Sequence, residues 1–218
     1  MKYRFLIMML VLITCFLLFS GCQTNQQSNT QASEIYSRAL HLYQQGKLEE
    51  AKVLFETGMK EDPQNGMYAF YLGNIYRKQE DMKKAAQHYQ LAIAKSPKII
   101  EAYNNLTALL MTMDRYDEAL QTATKGLVQQ PDHADLKFKK AQLLYVKNQY
   151  NVAIPLLSEL ANDPNYFEAH RFLGLYYMKE NKKKKALEHF TLYLKQAPEG
   201  VPNKEEVKQH LKRMLLTK

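Results

Sequence analysis

A period of 34 residues runs through the body of this chain and leaves little choice of fold. Alanines recur at Ala51, Ala85, Ala119, Ala153 and Ala186, and prolines at Pro63, Pro97, Pro131, Pro164 and Pro198, each series stepping by 34 or 33 residues. Four residues after each alanine stand Phe55, Tyr89, Ala123, Leu157 and Phe190. Thirteen and twelve residues before it come the pairs Arg38-Ala39, Leu72-Gly73, Leu106-Thr107, Lys140-Ala141 and Leu173-Gly174. Self-similarity at this period marks stacked supersecondary units, none of which can bury its inner face alone. Gly is scarce, at 8 residues, and Leu, Ala, Met and Tyr outweigh Val and Ile, so each unit is helical. The fold class is all-α, with two antiparallel helices per unit.

The order Leu-Gly, Ala, aromatic, Pro within 34 residues resembles the tetratricopeptide repeat (TPR), over residues 32 to 200, with the second and fifth units fitting best. The resemblance implies a solenoid of five helix-turn-helix repeats in 34–200. Small residues at Ala39, Gly73, Ala141 and Gly174 give helix A room beside helix B, and each proline stops a helix B. Arg38 and Lys140 replace the leading Leu and lay their stems along the surface. Gly46, Asp81, Asp114-Arg115 and Asn148-Gln149 mark the turns from A to B. Pro155 is expected in the first turn of the fourth helix B, where no amide bond is lost. Residues 201–218 read as a capping helix. It opens with Asn203 and Glu206 in capping-box spacing and carries Val207, Leu211, Met214 and Leu215 on one face. A basic amphipathic helix lying on anionic lipid is the competing reading.

The first 21 residues have the build of a secretory signal: basic Lys2 and Arg4, an apolar run from Phe5 to Phe19, then Ser20-Gly21. That run is short for a membrane span, which needs about 20 apolar residues. Leu18-Phe19-Ser20-Gly21-Cys22 resembles the lipobox of bacterial lipoproteins. The resemblance implies cleavage before Cys22, lipidation of its sulfur, and export to a membrane-anchored position, on the periplasmic face of an outer membrane or the outer face of the cell membrane. Residues 22–33, with their polar run Gln23 to Ser33, read as a flexible tether reaching roughly 18 Å.

Without Lys2 and Arg4 the formal charge of +8 falls to +6, with cations dispersed among helices and no nucleic-acid motif beside them. Both cysteines, Cys15 and Cys22, precede the repeats, so the body has no disulfide or zinc-finger framework. His41, His88, His133, His170, His189 and His210 show no metal-ligand spacing, and no phosphate loop is present. His88 and His189 share one repeat position beside the periodic aromatic and read as packed imidazoles. The acids Glu49-Glu50 and Asp117-Glu118 open second helices, where they suit the helix dipole. Lys182 to Lys185 read as a solvated cationic turn. No enzyme, cofactor, metal or small-molecule substrate is expected.

Function is therefore expected on the concave face that the family resemblance implies, lined by the first helix of each repeat. Its positions fall on Tyr36, Leu40, Tyr43, Phe70, Asn74, Arg77, Asn104, Met111, Phe138, Gln142, Tyr145, Arg171 and Met178. These side chains are expected to point away from the core, and aromatics, Met and Arg are what binding surfaces enrich. Asn74 and Asn105 match the two asparagines with which some TPR domains grip a C-terminal carboxylate. The cationic positions of that clamp hold Phe70, Phe138 and Gln142, which disfavours a chaperone-tail receptor. The expected partner is a protein or peptide of the cell envelope, reached by a scaffold that aids assembly of an envelope complex. The alternatives are an accessory to a peptidoglycan enzyme and a cationic lipid-surface or structural protein without a peptide partner.

Overall fold

A computed structural model describes residues 31–216. The signal segment 1–21, the lipidation site Cys22 and the tether up to residue 30 lie outside the described residues. Gln31, Ala32 and Ser33, which by polarity belong with the tether, are helical, and Ala32 is buried with its carbonyl accepting from the Tyr68 hydroxyl at 2.9 Å. A buried tyrosine hydroxyl needs a partner, and that need holds this short stretch against the body.

The described residues are helical, in two compact units that meet in sequence at Ile99 and Ile100. The first unit holds α1 (31–44), α2 (Leu48–Glu61), α3 (Gly66–Lys78) and α4 (Met82–Lys95). The second holds α5 (Ile100–Thr112), α6 (Tyr116–Gln129), α7 (Ala134–Val146), α8 (Tyr150–Leu160), α9 (Glu168–Lys179), α10 (Lys183–Gln196) and α11 (Lys204–Leu216). Within the second unit α5 packs on α6, α7 on α8 and α9 on α10. Each second helix then meets the next first helix, and the first helices α5, α7 and α9 touch in turn.

Each A-to-B turn is built on the same hydrogen-bond pattern. The first helix ends on a residue in the left-handed region: Gly46 (φ 77°), Glu80 (61°), Asp114 (56°), Asn148 (58°) and Asn181 (56°). The next amide then reaches back five residues, Lys47 to the Leu42 carbonyl at 3.0 Å, Asp81 to Tyr76 at 3.0 Å, and likewise Arg115, Gln149 and Lys182. This is the Schellman closure of a helix. Asp81 itself caps α4, its carboxylate accepting from the Lys84 amide at 3.0 Å. Glu49 and Glu50 lie in the first turn of α2, and Asp117 and Glu118 in that of α6. Pro155 departs from its expected place. It is the sixth residue of α8, so the amide it lacks would have bonded the Asn151 carbonyl, and the helix forgoes one internal bond.

At the closest approach of helix A to helix B the volumes compensate. A Cβ on Gly73 would lie 2.7 Å from the Tyr89 ring, and one on Gly174 2.5 Å from the Phe190 ring. Where helix B carries only Ala123, helix A carries Thr107 at the same register, and Ala141 matches Leu157; all four are fully buried. Close packing demands such a match, since one extra methylene in a full core costs about 1–3 kcal/mol.

The last hairpin is covered by α11. Val207 is fully buried with Ala186, Phe190, Tyr193 and Ala197, and Leu211 and Met214 pack against them. His210 stacks on Phe190 with centroids 5.7 Å apart. Leu215, expected on this buried stripe, is 70% exposed.

Candidate functional site

The first helices carry every residue expected to bind, and the two units present them differently. In the first unit, Tyr43 and Tyr36 meet Tyr71 edge-on at 5.3 and 6.1 Å, and Tyr71 stacks flat on Phe55 at 5.0 Å. The Lys78 ammonium sits 4.7 Å over the Tyr43 ring. Leu40, Tyr36 and Tyr43 are half-buried and Arg77 is exposed. Tyr36 also opens onto a cavity of about 250 Å³ shared with Ser33, Asp62, Asn65 and Tyr68. Burial, then the neighbouring Tyr71, raises the Tyr36 hydroxyl well above the usual tyrosine range.

Phe70 and Asn74 do not belong to a free surface. Phe70 is 8% exposed, packed on Tyr71 and Tyr89, and Asn74 is 7% exposed. The carboxamide of Asn74 accepts from the Tyr89 hydroxyl at 2.7 Å. The cause is local: Gly73 admits the large Tyr89 ring, whose buried hydroxyl must then be satisfied, and the next residue satisfies it. Asn74 is thus taken up inside its repeat, which removes one of the two asparagines matched to the carboxylate clamp.

In the second unit the expected residues form a strip along α5, α7 and α9. Phe138 and Tyr145 are half-buried against a core of Ala141, Leu157, Ala169, Phe172 and Leu173. Their rings meet Tyr166 at 5.5 Å and Phe172 at 5.1 Å respectively. Desolvation, with the neighbouring Tyr150, pushes the Tyr145 hydroxyl up to about 12. Arg171 lies 4.5 Å over the Phe172 ring and donates to Glu168 at 2.7 Å. Asn104 accepts from the Lys139 ammonium at 2.9 Å, while Asn105, Gln142, Met111 and Met178 are half-buried. Tyr71, Lys139 and Phe172, each one residue after an expected position, were missed; the shared signal is that adjacency.

Among the described residues no group of three His, Cys, Asp or Glu side chains could hold a metal ion. His88 stacks on Tyr76 and His189 on Tyr177 at 5.1 and 5.4 Å, so equivalent positions in two repeats pack alike. His189 also faces His170, the two Nδ1 atoms 3.0 Å apart and the ring centroids 5.3 Å apart. That centroid separation is what a head-on approach of the two nitrogens gives, so the rings share one proton and do not converge on a common ligand. Burial lowers both imidazoles, and for His189 the charge of His170 adds to it.

Paired helices, repeated left-handed closures and compensated A–B contacts define an all-α protein built of helical-hairpin repeats. The tetratricopeptide repeat family matches residues 36–98, 109–166 and 148–201, and the chain belongs to that family. It is 30% identical over 118 residues to human protein O-mannosyl-transferase TMTC1, covering 54% of this chain and 13% of that protein. Across that protein and two plant relatives the chain spans 13% to 25% of their lengths. With the type IV pilus assembly protein PilF of Pseudomonas aeruginosa it shares 24% identity over 187 residues, 72% of this chain and 74% of that one. Among solved structures it is similar to YrrB, a TPR protein with an unusual peptide-binding site: TM-score 0.69 at 18% identity, covering 82% of this chain and 90% of the other.

Proposed function

We propose that this chain is a non-catalytic, lipid-anchored scaffold of the bacterial envelope. It holds a peptide segment of an envelope protein against its first helices and so aids assembly of an envelope complex. The observation that carries this reading is the strip on α7 and α9, where Phe138, Tyr145, Gln142 and Arg171 are packed on one side and still reachable on the other. Aromatic rings fixed by a core behind them bind with little further loss of side-chain freedom. The likeness to a pilus assembly protein over most of both chains, and to a TPR protein with a peptide-binding site, supports it. The lipobox-like ending at Cys22 supplies the anchor.

A photocrosslinking residue at Gln142, compared in living cells with one at the exposed Glu180, tests the proposal. A discrete adduct with one envelope protein from the first position and not the second is the expected result. Fatty-acid labelling of the native protein, lost in Cys22→Ala, tests the anchor. Adducts from neither position, with binding to anionic vesicles abolished by Lys183→Gln and Lys184→Gln, would replace the scaffold by a cationic surface. The exposed run Lys182 to Lys185, which opens α10 without an acid in its first turn, favours that second reading.

A further inference from the structure

Cations are dispersed along this chain, but their excess over acids is not. Residues 23–178 hold 17 Lys and Arg against 17 Asp and Glu, whereas 179–218 hold 11 against 5. The final stretch carries the whole surplus, and packing gathers most of it at one end of the last hairpin. The Lys204 ammonium donates to the Ala197 carbonyl at 3.1 Å, and the His210 ring stacks on Phe190. Advancing along α11 therefore means going back along α10. Both helices rise by the same step, so the last turn of α11 comes level with the first turn of α10. Lys182 to Lys185 thus share one end with Lys212 and Arg213.

The nearby acids are engaged elsewhere. Glu205 pairs with Lys208 at 3.6 Å, Glu206 meets His210 at 3.4 Å, and Glu199 is taken by Lys204 at 2.6 Å. Lys182, Lys184 and Lys212 are exposed and form no ion pair among the described residues. Lysines in the first turn of α10 also oppose the helix dipole, which the acids of α2 and α6 suit. Folding does not call for this arrangement. Beside the cations the last turn of α11 shows Leu215 and Leu216, 70% and 74% exposed, while Val207, Leu211 and Met214 face the core. We propose that this end of the hairpin is a contact surface for an anionic lipid membrane. The ammonium groups reach headgroup phosphates on flexible stems, and the two leucines enter the acyl boundary. A free polyanion would answer the lysines and leave both leucines in water. This contact coexists with the capping role of α11 and does not rest on the peptide-binding face. It adds a second, charge-dependent attachment to the anchor proposed at Cys22.

The test reconstitutes the full-length chain in vesicles of phosphatidylcholine alone or mixed equally with phosphatidylglycerol. An environment-sensitive fluorescent amino acid replaces Gln209, an exposed and uncharged position on α11. The N-terminal attachment is common to both vesicles, so only the contact at α11 responds to lipid charge. A blue-shifted emission in the mixed vesicles and not in the neutral ones is the expected result. Each lysine facing an anionic leaflet favours docking about fivefold, so Lys182→Gln, Lys184→Gln and Lys212→Gln together should restore the neutral-vesicle spectrum. Leu215→Ser with Leu216→Ser keeps every charge and should weaken the shift, leaving a remainder that salt removes more readily. All five changes lie at exposed positions, and circular dichroism checks that the fold survives them. Polyglutamate, added to the chain in neutral vesicles, is the competing polyanion. A shift with polyglutamate and none with phosphatidylglycerol would assign the lysines to an acidic protein and overturn the proposal. So would a shift equal in both vesicles, or one that either set of changes leaves intact. None of these outcomes alters the crosslinking test at Gln142, so the scaffold reading stands or falls separately.

Discussion

Thr107 is a fault line in an otherwise well-matched core, and replacing it with Val should stabilise the protein. Its side chain is fully buried, and its Oγ1 has no hydrogen-bond partner. The contrast lies within the molecule: Thr57, Thr112, Thr122 and Thr191 lie on half-buried or exposed helix faces, and each donates to the carbonyl four residues earlier at 2.8 to 3.1 Å. An unsatisfied buried hydroxyl costs about 1–3 kcal/mol. Val keeps the branched shape and a similar helix propensity, so the gain comes from the hydroxyl alone. For a chain of this size about 1 kcal/mol moves the melting point by roughly 2–4 °C, which places Thr107→Val roughly 2–12 °C above the native protein. Ala should gain less, because beside Ala123 it leaves a methyl-sized void. Thermal and urea unfolding followed by circular dichroism at 222 nm measure both variants. A Val variant no more stable than the native chain would mean that the hydroxyl is satisfied, and the reasoning would fail.

Glu80 holds a left-handed turn that Gly46 fills without strain, so Glu80→Gly should stabilise by about 0.5–1 kcal/mol after the entropy of the added glycine is deducted; a lower urea midpoint would refute it. Acid should loosen the last hairpin, because the native imidazoles of His170 and His189 titrate below the ordinary value of 6.5. Their contribution is whole above that value and is lost as pH falls from it through the lower native values, since the unfolded chain then binds more protons. Stability against pH should show this slope, and it should flatten in His170→Leu combined with His189→Phe. Deleting Lys204 to Lys218 uncovers Phe190 and Tyr193 and should lower the melting point without any lipid present. Unchanged melting with lost vesicle binding would make α11 a membrane helix and not a cap.

The hairpins were legible in the sequence because their cause is periodic. A unit that buries its face only against the next must repeat the same small, aromatic and chain-stopping residues, and Ala51, Ala85, Ala119 and their partners display that demand at fixed intervals. Gly46, Asp114 and Asn148 announced their turns through residue types that tolerate the left-handed region, whereas Glu80 has no such signature and emerged only from the backbone. The binding face was harder to read, since a repeat position says which way a helix residue starts and not what it meets. Phe70 and Asn74 hold surface positions by count, yet the Tyr89 ring and hydroxyl, admitted by Gly73, draw both inside. Spacing alone would pair Asp135 with Lys139 across one turn of α7. Tertiary structure gives Asp135 to Tyr166 and leaves Lys139 with Asn104. Local periodicity thus determined the helices and their order. Which polar groups are satisfied within the fold depends on residues some thirty positions apart that only packing brings together.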